Sequence, residues 1–177
     1  MAVRKRTRAR EIALQQLYAE DVRADGDEID VDEFLRQQTS DDEIYLFALG
    51  LVHGTNRHVI AIDTEIRRCA QNWHLARLAA VDRNILRLGV YELRHRPDVP
   101  PQVTLNEAIE LAKRFSTAKS GGFVNGVLDR IRQEASVEVD AVGPLPDGAA
   151  PEPAGETTEP VAWTADDEDE GDDAEND

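Results

Sequence analysis

Apolar side chains recur through the first 134 residues at the three- and four-residue spacing of a helix and nowhere alternate as in a strand. From Thr7 onward, Ala9, Ile12, Ala13 and Leu17 share one face, with Leu14 and Tyr18 beside it, until Asp25-Gly26-Asp27 signals a turn. A short helix, Val31 to Gln38, is predicted behind Asp30 as its cap. Ser40 and Glu43 are spaced as a capping box ahead of a long stripe of Ile44, Phe47, Ala48, Leu51, Val52, Val59, Ile62, Ile66 and Cys69. Gly54-Thr55-Asn56 is expected to split that stripe into two helices. Ala76 to Arg94 is apolar on more than one face, which predicts a helix buried at the centre.

Pro97, Pro100 and Pro101 stop this helix and stiffen the connector. Thr104 and Glu107 have the spacing of a second capping box, opening a helix with Leu105, Ala108, Ile109, Leu111, Ala112 and Phe115 inward. Ser116 to Gly122 reads as a loop, and Phe123 to about Glu134 as the last helix. The expected architecture is all-α, a compact bundle of about seven helices.

Charge then divides the chain. Of its 177 residues, all 20 Lys and Arg lie at or before Arg132, against 21 acids through Glu134, so the helical part is nearly neutral. The other 15 acids fall in residues 135–177, which hold no cation and, from Pro144, five prolines. Such a segment cannot offset its chain entropy by burial, and it is expected to be a disordered acidic tail. A flexible basic arm (1–6), a helical domain (7–134) and the tail (135–177) are the predicted units. No run of apolar residues is long enough for a transmembrane helix or a secretory leader, and the lone Cys69 suits a reducing compartment, so a cytoplasmic location is expected. On charge alone, the tail is expected either to solubilise the chain or to compete with polyanions for its basic arm.

Catalytic constellations are missing. No Gly-rich loop follows a strand, and His53, His58, His74 and His95 are scattered, which speaks against a metal site. A calcium loop placed with Gly26 at position six would put Arg23 at position three, where an oxygen ligand is required, and would lack the terminal Glu at Asp32. Cys69 sits on the apolar stripe as a structural thiol. No enzyme activity and no cofactor are expected.

What remains is binding. Arg4, Lys5, Arg6, Arg8 and Arg10, with no acid before Glu11, form an arm able to meet several phosphates. Tyr18, about two turns beyond Arg10, is placed either to stack an unpaired base or to pack half-buried. Lys119 and Phe123 flank Gly121-Gly122; this is either a nucleotide-holding corner or a helix start whose Phe123 is core.

Four segments resemble the NusB family in order: Arg6 to Tyr18 (RTRAREIALQQLY), Val81 to Leu93 (VDRNILRLGVYEL), Asn106 to Lys113 (NEAIELAK) and Phe123 to Asp129 (FVNGVLD). The resemblance implies an all-helical fold of two subdomains, about 7–75 and 76–134, and no catalysis. It implies a transcription antitermination adaptor that binds boxA RNA of ribosomal RNA transcripts together with NusE, a ribosomal small-subunit protein, and helps assemble further Nus factors on RNA polymerase. It matches the arm, Tyr18 and Phe123 to RNA contacts, and places NusE along the central helix, with Asp82 and Arg87 as candidates. That helix also offers a homodimer surface. Where many members carry an acid before the last helix this chain has Lys119, a cation expected to strengthen phosphate attraction and reduce dependence on NusE. The alternatives are a helical protein–protein scaffold without RNA, or a ribosomal RNA maturation factor without boxA specificity.

Overall fold

The computed structural model describes residues 2–23, 30–70 and 74–141, with side chains from Arg4 to Glu134 within them. Seven α-helices follow one another: α1 Ala2–Val22, α2 Val31–Gln38, α3 Asp42–Arg57, α4 Val59–Cys69, α5 Ala80–His95, α6 Pro101–Phe115 and α7 Ser120–Ala141. A 3-10 turn, Leu75–Arg77, precedes α5. No strand occurs among the described residues. The Asp25–Asp27 turn, the calcium-loop position Asp25 and the tail beyond Ala141 lie outside them.

The centre of the bundle is α5, which touches α1, α3, α4, α6 and α7. Ile85, Leu86, Leu88 and Val90 are all buried, and runs of adjacent buried residues can arise only when neighbours cover several faces. Gly89 lets α7 close in: a methyl group there would stand 2.7 Å from Leu128 Cδ1. One continuous core runs from Ala9 and Ile12 on α1 to Leu128 and Ile131 on α7. The 3-10 turn falls where a subdomain boundary was expected, near residue 75, but the core continues across it.

Several boundaries differ from the sequence pattern, for physical reasons. Helix α1 begins at Ala2, so most of the expected flexible arm is already helical. Asp41, not Ser40, caps α3, accepting from the amides of Glu43 (3.0 Å) and Ile44 (3.3 Å). Thr104 does not cap α6, because that helix starts at Pro101, where a missing N–H costs nothing. The Thr104 hydroxyl instead donates to buried Glu92 at 3.0 Å. Helix α7 starts three residues before Phe123 and runs past Glu134 to Ala141, so residues 135–141 begin as helix rather than tail. Asp30 does cap α2, accepting from the Glu33 amide at 3.1 Å.

At the α3–α4 joint the histidines are less scattered than their spacing suggests. His58 stacks on His95 with ring centroids 4.0 Å apart, and the Tyr91 ring closes a triangle, 5.4 Å from His95 and 6.1 Å from His58. Loss of hydration and the facing His58 lower the His95 pKa from 6.5, with Arg94 adding to the effect and Glu65 opposing it. A base whose folded pKa is depressed favours folding while neutral. The contribution is therefore present above pH 6.5 and lost as the pH falls towards the folded value. We expect the melting temperature to drop modestly between about pH 7.5 and about pH 5.5. His95→Gln should flatten that drop; an equal drop in the variant would show that other groups set it.

Candidate nucleic-acid interface

Residues seven apart on a helix point almost the same way, so Arg4, Glu11 and Tyr18 form one stripe of α1 and Arg8, Gln15 and Val22 the next. The first stripe is open to solvent at both ends, with Arg4 exposed and Tyr18 40% exposed, and the second ends on Val22, 51% exposed. Arg8 keeps 41% of its side chain exposed while its guanidinium bonds to Glu11 at 3.0 Å.

The remaining arm cations turn towards neighbouring helices. Lys5 forms ion pairs with Asp41 (2.8 Å) and Glu43 (2.9 Å). Hydrogen bonding to Lys5 is the main reason the Asp41 carboxyl is held below its ordinary range. Arg6 lies 3.5 Å from Asp98 and 5.0 Å from the centre of the Phe47 ring. Lys5, Arg6 and Phe47, with Glu43, Leu46 and Arg96, line a cavity of about 310 Å³.

Arg10 departs from the expected set. It is 2% exposed, and its guanidinium bonds to both oxygens of Glu92, 2.7 and 3.1 Å away. Glu107 stands 3.5 Å from it, close enough for charge but outside hydrogen-bond geometry. A cation enclosed this way locks α1 to α5 and, being buried, presents no donor to a phosphate outside.

The corner around Lys119 is built by hydroxyl groups. Ser120, at the first position of α7, bonds Asp82 Oδ2 (2.9 Å), Ser116 Oγ (3.0 Å) and Thr117 Oγ1 (2.8 Å). These contacts fix the short Ser116–Lys119 connection and leave the Lys119 side chain exposed. Gly121 and Gly122 belong to the first turn of α7, not to a loop. Phe123 is half-buried against the edge of the core, so packing and an outward rim both apply to it.

Two sets of contacts bring this corner to the exposed stripe of α1. Side chains bridge α1 and α6, Thr7 donating to Glu107 at 3.0 Å and Glu11 taking an ion pair from Arg114. On the other side, Arg83 reaches back from α5 to Asp21 on α1 at 2.9 Å, one turn from Tyr18. Through them the middle of α1 meets Arg114, five residues before Lys119, and Asp21, a turn from Tyr18, meets Arg83, the neighbour of the Asp82 that holds Ser120 at the start of α7.

Of the two α5 residues expected to meet a protein partner, Arg87 is committed largely inward. It grips Asp63 with two bonds (2.8 and 3.0 Å) and Asp21 with a third (3.1 Å). Burial would raise the Asp21 pKa, but hydrogen bonding by Arg83 and the charge of Arg87 bring it below the usual carboxylate value. Arg67, His74, Arg83 and Arg87 stand with Asp21 and Asp63 around a cleft of about 680 Å³. Asp82 is half-buried, and its Oδ1 has no hydrogen-bond partner.

Sequence reasoning missed Arg83, Asp21 and Arg114, because each acquires its role from a residue more than 60 positions away. Among the described residues, no group of three His, Cys, Asp or Glu side chains could hold a metal ion. None of the described helices is long and apolar enough to cross a membrane. Cys69 is buried, its thiol pushed up by burial and by the neighbouring Glu134 carboxylate.

Comparison with known proteins places this arrangement. A profile of the NusB family matches residues 7–133. The transcription antitermination protein NusB of Sorangium cellulosum is 46% identical over 128 residues, 72% of this chain and 91% of the relative. That of Anaeromyxobacter dehalogenans is 48% identical over 128 residues, 72% of this chain and 89% of its own. Among solved structures, T. maritima NusB superposes with a TM-score of 0.66 at 39% identity, covering 73% of this chain and 91% of that one. A structure of antitermination factors NusB and NusE in complex with dsRNA gives 0.65 at 32% identity, over 74% and 98%. With the matched span covering nearly the whole described bundle and the fold shared with a solved NusB structure, the chain belongs to the NusB family.

Proposed function

We propose that this protein is a non-catalytic, RNA-binding adaptor of transcription antitermination in the cytoplasm. It takes boxA RNA of ribosomal RNA transcripts together with NusE and helps assemble other Nus factors on RNA polymerase. The observation that carries this reading is that Arg4, Arg8, Tyr18 and Lys119 are left open to solvent, with Phe123 half-buried near the start of α7, while Arg10 is withdrawn into the core. A related structure that holds NusB with NusE and dsRNA supports the choice of partners.

Cations and an open aromatic divide the work. The arm attracts phosphates, and Tyr18 and the rim of Phe123 offer planes for unpaired bases. With Arg10 withdrawn into the core, the four remaining arm cations predict a slope of log affinity against log salt near −2.8 for single-stranded RNA, and Lys119 as a fifth contact restores about −3.5. NusE is assigned to the α5 side, at Asp82 and the cleft edged by Arg87. The same surface would serve a homodimer in the absence of NusE.

The test is anisotropy of a labelled boxA RNA against a scrambled RNA, with and without NusE, at about 50 and about 200 mM salt. Preference for boxA, strengthened by NusE, is expected. Equal binding of both RNAs would overturn the sequence-specific reading. Tyr18→Ala and Phe123→Ala should each weaken boxA binding by about 1–3 kcal/mol if a base stacks there. Only Phe123→Ala should also lower the melting temperature, because Tyr18 is too exposed to matter to the core.

A further inference from the structure

Arg114, at the end of α6, is the most open of the paired arginines among the described residues, with 63% of its side chain exposed. It shares a single carboxylate with Arg8: one Glu11 oxygen takes Arg114 and the other takes Arg8 at 3.0 Å. Glu11 itself is only 8% exposed at its side chain, so the carboxylate sits beneath the two guanidinium groups. The Arg114 guanidinium carbon also lies 5.2 Å from the centre of the Phe115 ring, which gives it a flat support.

We infer that Arg8 and Arg114, held side by side over Glu11, form a two-arginine fork for a phosphodiester of the bound RNA. The fork bridges the α1 arm to the Lys119–Phe123 corner. This rests on the RNA-binding reading above and adds a contact from a helix that the basic arm does not include.

The chemistry follows from charge and geometry. Two guanidinium groups on one carboxylate leave a net positive charge at an exposed site. Each arginine has five N–H donors, and Glu11 occupies few of them. The unused donors belong to side chains already ordered by Glu11 and Phe115, so little rotamer freedom remains to be lost when a phosphate arrives. Position matters as much as charge. Glu11 lies on the Arg4–Tyr18 stripe of α1, and Arg114 stands directly before the Ser116–Lys119 connection. In this reading a strand running from the arm to Lys119 passes the fork.

The experiment compares the full chain with Arg114→Ala, Arg114→Lys and Arg130→Ala, using anisotropy of a short labelled single-stranded boxA RNA across a salt series. Arg130 is also exposed, at 44% of its side chain, but sits ten residues along α7, about 15 Å from its start. Losing one phosphate contact should lower the salt slope by about 0.7 and the affinity about fivefold at about 0.1 M salt for Arg114→Ala. Arg114→Lys should keep the slope and recover only part of the affinity, and Arg130→Ala should match the parent. Unchanged melting temperatures will show that the fold is intact. Should the parent bind RNA while Arg114→Ala binds with the same slope and affinity, the fork is refuted and the adaptor reading survives. An equal loss for Arg130→Ala would refute it as well, leaving only a general charge effect. Should the parent bind no RNA at all, the adaptor reading fails and the fork with it.

Discussion

Replacing Arg10 by Ala should unfold this protein far more readily than any other change in its basic N-terminal segment. Arg10 and Glu92 are each 2% exposed and joined by two hydrogen bonds. Removing the guanidinium would leave the Glu92 carboxylate buried with the Thr104 hydroxyl as its remaining hydrogen-bond donor. Breaking one side of a buried pair typically costs about 3–5 kcal/mol, because a stranded charge is worse than no charge. In a domain of this size that corresponds to a fall in melting temperature on the order of 10–20 °C. Arg10→Lys should also be poorly tolerated, since an ammonium group cannot span both Glu92 oxygens as the planar fork does. The double change Arg10→Met with Glu92→Leu should recover much of the loss by removing both charges together. Thermal melting of the three variants is the measurement. A variant Arg10→Ala that melts with the parent but loses RNA affinity would return Arg10 to the interface.

The second large effect is expected at Gly54. A methyl group at this position would overlap the ring of Tyr91 on α5, at the contact that seats α3 against the central helix. Alanine would gain roughly 1 kcal/mol of helix propensity over glycine, so the sign depends on whether the ring can move. Tyr91 is hemmed in by its stack with His95, and His58 is tied to the Gly54 carbonyl at 2.9 Å. The overlap should therefore win, with Gly54→Ala destabilising by about 1–3 kcal/mol net. Tyr91→Ala should make room, so that adding Gly54→Ala to it costs little more, a non-additivity that denaturation of the single and double variants will measure. If Gly54→Ala proves as stable as the parent, the ring swings aside freely and the α3–α5 contact is softer than it looks.

The helices themselves were legible because their signals are local. The apolar stripe of α1, the Asp30 cap of α2 and the multi-faced apolarity of α5 all lie within a few turns of sequence, and each forms, although α5 starts at Ala80 rather than Ala76, behind a 3-10 turn. The capping boxes failed for a reason also visible in the structure. Asp41 and Pro101 offered better helix starts one and three residues from the predicted caps, and Thr104 was wanted in the core.

The interface was legible only in part. Tyr18 and Lys119 are exposed as their expected roles require, but the five arm cations looked alike in sequence and are not alike in space. Arg4 faces solvent, Lys5 and Arg6 lean on acids of other segments, Arg8 is held by Glu11, and Arg10 is buried.

Sequence alone determined that this chain forms a bundle of helices, which stretches are amphipathic, and that its cations precede its polyanionic segment, because periodicity and charge order are properties of neighbours along the chain. Only the tertiary structure decided which arginines remain available. A guanidinium is captured by whichever carboxylate the fold brings within about 3 Å, and Glu92 is 82 positions from Arg10, as Arg114 is 103 from Glu11.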